Sequence, residues 1–265
     1  KKFISIEECN MKIKRGIVGN SGGSDLLFVD SKKDIGDVVT SKNIKTGNGI
    51  RNAKLNCCYL ETGDTRCLAR GNKTEDLTEL INAFTIIDSA SKNGKQMKKT
   101  KNTADWLKII ERTAKSELNA NLVLIPRGIR TKGRVYVTDK PFYVSTNFVA
   151  LYNLSNRESI LLVTWFSTIF YQLLCEVYSK DQEGMRKMEV NDIRMTYIPK
   201  FENVTDEEYN LLKNTIDSME FLDLKNPEIR DVDKLWAKIL FGENADIYTD
   251  TAIDNLKYVA TRRNS

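Results

Sequence analysis

The sequence predicts an α+β fold: a β-rich first part, one long buried helix and a small helical tail towards the C-terminal end. Three observations carry this. Short apolar runs broken by glycine fill residues 1–70, and further strand-like runs follow Asn121. The stretch Ile160–Tyr178, ILLVTWFSTIFYQLLCEVY, is apolar almost throughout and long enough to be a core helix. Beyond Phe201, helical apolar spacing recurs behind acidic openings.

Taken in order, the first strand candidates are Phe3–Ile6, Ile13–Val18, Leu26–Val29, Val38–Val39 and Leu55–Leu60. Turn-formers separate them, including the run from Asn20 through Ser21 to Ser24. Leu77, Leu80, Ile81, Phe84 and Ile87 then form a helical stripe that Asp88 ends. After a lysine-rich linker, Thr103 reads as the N-cap of a helix that carries Trp106, Leu107, Ile110, Ala114 and Leu118 on one face. Asn121–Ile125 reads as a buried strand ended by Pro126. Val135–Thr138, Phe142–Val144 and Phe148–Tyr152 follow it.

The long helix gives way to a polar signature, Ser179–Asp192, that contains Gly184, and a short strand-like exit, Met195–Pro199, closes the unit. The tail is expected to hold helices opening near Phe201 and running near Asp231–Leu240 and Thr249–Thr261. This divides the chain into a first unit, residues 1–200, and an acidic helical tail, residues 201–265. Ile160–Tyr178 approaches the length of a bilayer span, but Gln172 and Glu176 interrupt it and no second span accompanies it, so burial in a core is expected.

Composition narrows the function classes. An apolar share of 41% and a charged share of 29% are those of a globular domain rather than a membrane or disordered chain. The five cysteines, Cys9, Cys57, Cys58, Cys67 and Cys175, are odd in number and irregularly spaced. That argues against a disulfide framework and for a reducing compartment, the cytoplasm. Histidine is absent, which removes the commonest metal ligand and general base. No metal and no catalytic residue is expected in this chain. The opening Lys1-Lys2-Phe3-Ile4 has no initiator methionine, and the chain is expected to be a piece of a longer protein.

Charge is unevenly placed. Residues 201–265 hold 8 Lys+Arg against 14 Asp+Glu, while the first 200 residues hold 33 against 22. A basic body suggests an anionic partner; a solvated basic surface is the plainer alternative. Three segments concentrate the charge. Lys14 and Arg15 precede a glycine-rich turn with Asn20 and Ser21, whose amides suit a phosphate or merely turn a hairpin. Arg127, Arg130, Lys132 and Arg134 crowd one strand–turn–strand unit, which favours contact with a nucleic acid. Arg186 and Lys187 stand in the polar signature. The plain reading of Gly184–Glu189 is a helix C-cap in which Arg186 pairs with Glu183 or Glu189.

Several of these segments, in this order, resemble one family. The run Leu122-Val-Leu-Ile-Pro-Arg-Gly-Ile-Arg130, then Thr146-Asn-Phe148, then the long helix with Asp181–Ile193, and finally Ile198-Pro199 look like the C-terminal target recognition region of N6-adenine DNA methyltransferases of restriction–modification systems. The opening Lys14–Asn20 and the acidic tail are similar to that region's start and close.

The resemblance implies a DNA-binding target recognition domain whose partner is double-stranded DNA. Catalysis would reside in a methyltransferase domain on the same or a partner chain, using S-adenosylmethionine to methylate adenine. The family's catalytic Asn-Pro-Pro motif is missing here; Asn226-Pro227-Glu228 lacks its second proline. Basic residues would grip phosphates, and Arg127, Arg130, Arg186 or Asn20 would read base edges. A stand-alone specificity subunit and an RNA-binding module remain as alternatives, the latter calling for exposed aromatics such as Tyr136 or Tyr143 beside the basic turns.

Overall fold

The computed structural model describes residues 2–9, 11–15, 28–30, 38–39, 66–68, 121–137, 143–144, 148–182, 184–216 and 218–264. The helices expected over 74–88 and 103–119, the strand Leu55–Leu60, and Asn20 and Ser21 lie outside these residues.

Strands dominate the first part, as expected. They are β1 (Phe3–Ser5), β2 (Lys12–Arg15), β3 (Phe28–Asp30), β4 (Val38–Val39), β5 (Arg66–Leu68), β6 (Val123–Pro126), β7 (Gly128–Ile129), β8 (Lys132–Gly133), β9 (Tyr136–Val137), β10 (Tyr143–Val144) and β11 (Phe148–Tyr152). The principal sheet has the order β2-β11-β6-β9 and is antiparallel throughout. Because side chains alternate across a sheet, β6 and β11 supply two apolar faces. Val123, Ile125, Val149 and Leu151 join the main core; Leu124, Phe148 and Ala150 join a second cluster with Leu122 and Tyr136. Both faces are buried, so β6 and β11 read as nearly continuous apolar runs. Tyr136 and Phe148 are 2% exposed, so Tyr136 is core and not a stacking platform.

The chain then enters the core through α1 (Asn156–Phe166), capped by Ser155 and Glu158 in a reciprocal box. Every residue from Ser159 to Phe166 is buried. The sequence predicts one helix through Tyr178, but the helix breaks. Ser167 ends α1, Thr168 caps α2 (Ile169–Tyr178), and the axis turns by 73° between them. The cause is local competition for backbone groups. The Thr168 hydroxyl donates to Trp165 O at 2.6 Å and accepts from the Tyr171 amide at 3.2 Å.

The break leaves buried backbone groups that need partners, and the C-terminal part provides them. Arg230 donates to the Ser167 carbonyl, and the fully buried Asp233 accepts from the Ile169 amide at 2.8 Å. Arg230 Nε and Asp233 Oδ2 are paired at 3.1 Å. Among the described residues no single helix is long and apolar enough to cross a membrane. The bent α1–α2 pair passes such a test by length and composition alone, and its side chains largely line the core.

After α2 come a hairpin, β12 (Lys180–Gln182) and β13 (Met185–Lys187), then α3 (Val190–Arg194) and β14 (Tyr197–Pro199), which pairs with β1. The tail holds α4 (Asp206–Thr215), β15 (Leu222–Asp223), α5 (Asp231–Phe241) and α6 (Ala245–Asn264). Thr205 and Glu208 form the capping box that the acidic opening suggests. Leu212, Trp236 and Leu256 share one buried cluster with Val149 and Ile160, so apolar packing continues across position 200. Trp236 meets Trp165 edge-on at 5.6 Å and donates to Thr164 Oγ1 at 3.2 Å.

Asp233→Ala should cost about 3–5 kcal/mol in urea unfolding, because it strands both the Arg230 charge and the Ile169 amide.

Candidate nucleic-acid interface

The polar signature after α2 is a hairpin and not the helix C-cap of the plain reading. Gly184 sits at its tip with φ +69°, a conformation that glycine adopts without strain. β13 pairs with β12 on one side and with β7 on the other, placing Arg186 opposite Ile129 and Lys187 opposite Gly128. Met188 N–H donates to Arg127 O at 2.9 Å, extending this join. The hairpin is thereby fused to the basic turn Pro126–Arg134.

Strand alternation now separates two neighbours that the sequence treats alike. Arg186 points inward and is 1% exposed. Its guanidinium donates to Gln172 O at 3.1 Å and Gln172 Oε1 at 2.9 Å, and it pairs with Glu176 at 3.0 Å. Its ion-pair partner is Glu176, while Glu189 pairs with Arg127 and Glu183 lies outside the described residues; the reach of Arg186 is spent inside the protein. The expectation that Arg186 reads DNA is therefore corrected: a planar fork with five donors is what can satisfy two polar residues inside an apolar helix. Lys187, one residue on, is 35% exposed.

Gln172 is the junction. Besides Arg186 it holds Phe166 O through Nε2 at 3.0 Å. A Cβ at Gly133 would lie 2.8 Å from Gln172 Cδ, so β8 approaches this side chain as only glycine can. Cys175 also lies here; burial pushes its thiol up to about 11, which leaves it a neutral packing group.

On the outer side, three of the residues singled out by charge converge. Arg127 directs Nε to Glu189 Oε2 at 3.1 Å and Nη2 to Glu189 Oε1. Lys187 Nζ lies 3.7 Å from the same carboxylate. Arg15, at the end of β2, is close enough for its charge to act on both Arg127 and Glu189. The hydrogen bond from Arg127, reinforced by the charges of Arg127, Arg15 and Lys187, holds the Glu189 carboxyl below its ordinary range despite an opposing push from burial. Three cations thus surround one anion.

Lys14, Arg130 and Lys132 are exposed nearby in the chain, on β2 and on the β7–β8 turn. The turn is braced by β13 on one side and by β15 on the other, where Lys132 stands opposite Asp223. Arg134 is half-buried and lies over the Phe221 ring at 5.8 Å from its centroid.

Charge spacing alone did not single out Gln172, Glu176 and Glu189. The first two were detectable: a Gln and a Glu four residues apart in an apolar helix require a buried donor, and Arg186 is the nearest arginine that follows. Glu189 carried no such signal, because besides the neighbouring Lys187 its partners Arg127 and Arg15 come from segments far away in the chain.

A family model described as the restriction endonuclease BpuSI specificity domain matches residues 14–229. The chain belongs to this family. One solved structure agrees with this assignment. The type IIG restriction endonuclease BpuSI superposes with a TM-score of 0.75 at 26% identity, over 99% of this chain and 31% of that one. This specificity domain thus spans about a third of that enzyme's length. Two weaker likenesses are a type I restriction–modification S subunit from M. genitalium (TM-score 0.33, 12% identity, 80% of this chain and 37% of that one) and a chain of a type I restriction–modification assembly (0.40, 9%, 98% and 45%). None of the curated proteins compared matches the chain.

Two stability measurements check the geometry of this BpuSI-type domain. Arg186→Ala should destabilise by about 3–5 kcal/mol, since it strands Glu176, whereas Lys187→Ala should stay within about 0.5 kcal/mol. A lowered carboxyl pKa means that the Glu189 ion cluster stabilises fully above its ordinary value of 4.5 and fades as pH falls through the lowered one. The stability gap between wild type and Glu189→Gln in urea should therefore shrink as pH drops below 4.5.

Proposed function

We propose that the domain selects the DNA site for a restriction–modification enzyme, gripping duplex phosphates along the strip formed by the end of β2, the β6–β8 turn and the β12–β13 hairpin. Lys14, Arg130 and Lys132 are exposed on the same segments, and the observation that carries this is the meeting of Arg15, Arg127 and Lys187 at one place. Three separate segments supply these cations, and the fold brings them to one surface. Core formation does not require that.

In this reading Lys14, Lys132 and Lys187 bear on phosphates, independently of sequence. Arg130, at the exposed turn, is the best-placed guanidinium for a guanine edge. Asn20 and Ser21 belong to the same reading through the glycine-rich turn. Methyl transfer to adenine N6 from S-adenosylmethionine is assigned to a catalytic part outside this chain, with the enzyme working in the bacterial cytoplasm. The support for that step is the resemblance of the recognition segments.

Titration against random duplex DNA, single-stranded DNA and RNA over a range of salt tests the proposal. Duplex should bind tightest, with log K falling steeply in log[salt]. Lys187→Ala or Lys132→Ala should weaken every duplex alike and reduce the salt slope by about 1, while Arg130→Ala should cost about 1–3 kcal/mol and relax choice at one base pair. Preference for single strands or RNA would overturn the reading. Incubating the full-length enzyme with S-adenosylmethionine and identifying the methylated base tests the adenine assignment.

A further inference from the structure

The cation cluster contains an anion that the fold did not need to put there. Arg127 meets Glu189 with two parallel contacts, the geometry by which a guanidinium also grips a phosphate. Lys187 points to the same oxygen, Oε1, and the charge of Arg15 acts on the carboxylate. The group is open to solvent, with side-chain exposures of 15% for Arg127, 35% for Lys187 and 31% for Glu189. The Glu189 side chain also belongs to a capping box with Asp192, so displacement of its carboxylate would exchange that contact as well as the cations. Glu189 precedes the five-residue α3, and its amide is held by Asp192 Oδ2 at 2.8 Å, so the backbone stays anchored when the carboxylate moves.

We infer that Arg15, Arg127 and Lys187 form an anion seat in which the Glu189 carboxylate stands in for a DNA phosphate, and that duplex DNA takes the seat by displacing it. This rests on the reading of the domain as a DNA-binding one. The stand-in does two things. It keeps three like charges together in the free protein, where they would otherwise repel. It also sets a threshold, because a phosphate must compete with a carboxylate already in place, and only a duplex that makes further contacts does so well. Glu189 is thereby a specificity-determining residue that suppresses binding to arbitrary DNA.

The test compares the full-length protein with its Glu189→Gln variant in salt titrations against random duplex DNA. Glutamine keeps the shape and the acceptor oxygen but removes the charge. The expected result is tighter binding to random duplex, roughly three- to tenfold, with the salt slope steeper by about 1. Lys187→Ala in the Glu189→Gln background should reverse the gain. Asp192→Asn, which alters the amide contact and leaves the seat alone, should not reproduce it. Should Glu189→Gln fail to fold, Glu189→Ser keeps a good helix-capping side chain without the charge and is held to the same expectation. Wild type that binds duplex with a steep salt slope, beside an uncharged variant that binds no tighter, would overturn the stand-in and leave the DNA-binding reading intact. Wild type that ignores duplex DNA would overturn both.

Discussion

The bend between α1 and α2 is the constraint on which the rest depends. An apolar segment of this length could run straight, but here α1 lies against β6 and β9 while α2 turns away to pack against α6. Ser167 and Thr168 turn it by 73°, and the turn exposes a carbonyl and an amide inside the core. Arg230 and Asp233 answer both from the start of α5. Two segments separated by more than sixty residues are joined there by charge-assisted bonds with little access to water. In a low-dielectric interior such bonds specify one arrangement firmly, because any other leaves a group without a partner.

From that bend a second chain of polar contacts runs outward. Gln172, in the first turn of α2, holds the Phe166 carbonyl on one side and Arg186 on the other. Arg186 fixes β13, β13 fixes β7, and the outer face of that join carries Arg127, Lys187 and Glu189. The surface cluster is therefore not a set of floppy cations on a loop. Arg15 and Lys187 stand on strands, Arg127 links β6 to β7 and Glu189 follows β13. The cluster is thus tied to elements whose inner neighbours are locked in the core, which is the arrangement precise recognition needs.

Much of this was legible in the sequence, and the parts that were not share one cause. The strands Val38–Val39 and Phe148–Tyr152, the capped helix after Thr205 and the helix from Asp231 were visible because local pattern determines them. The break at Thr168 was signalled by a capping residue, yet the apolar run concealed it: hydrophobicity says that a segment is buried, not that it is straight. Arg186 was misassigned because strand parity cannot be known until the strand itself is recognised, and a polar stretch with a glycine reads equally well as a cap. Arg127 and Lys187 were singled out separately on charge, but their meeting with Arg15 and Glu189 is a product of topology. Sequence spacing does not contain it.

The parity of β13 also bears on how such a domain can diversify. Substitutions at Lys187, Arg130 or Lys132 alter only the outer face, so new preferences can be explored there at little risk to folding. Insertion or loss of a single residue between Gly184 and Lys187 is different. It would swing a lysine into the pocket shaped for a guanidinium and send Arg186 outward, leaving Gln172 and Glu176 unmatched. This hairpin should therefore vary in its letters and hardly ever in its length, while length changes are confined to segments whose inner neighbours hold nothing in place.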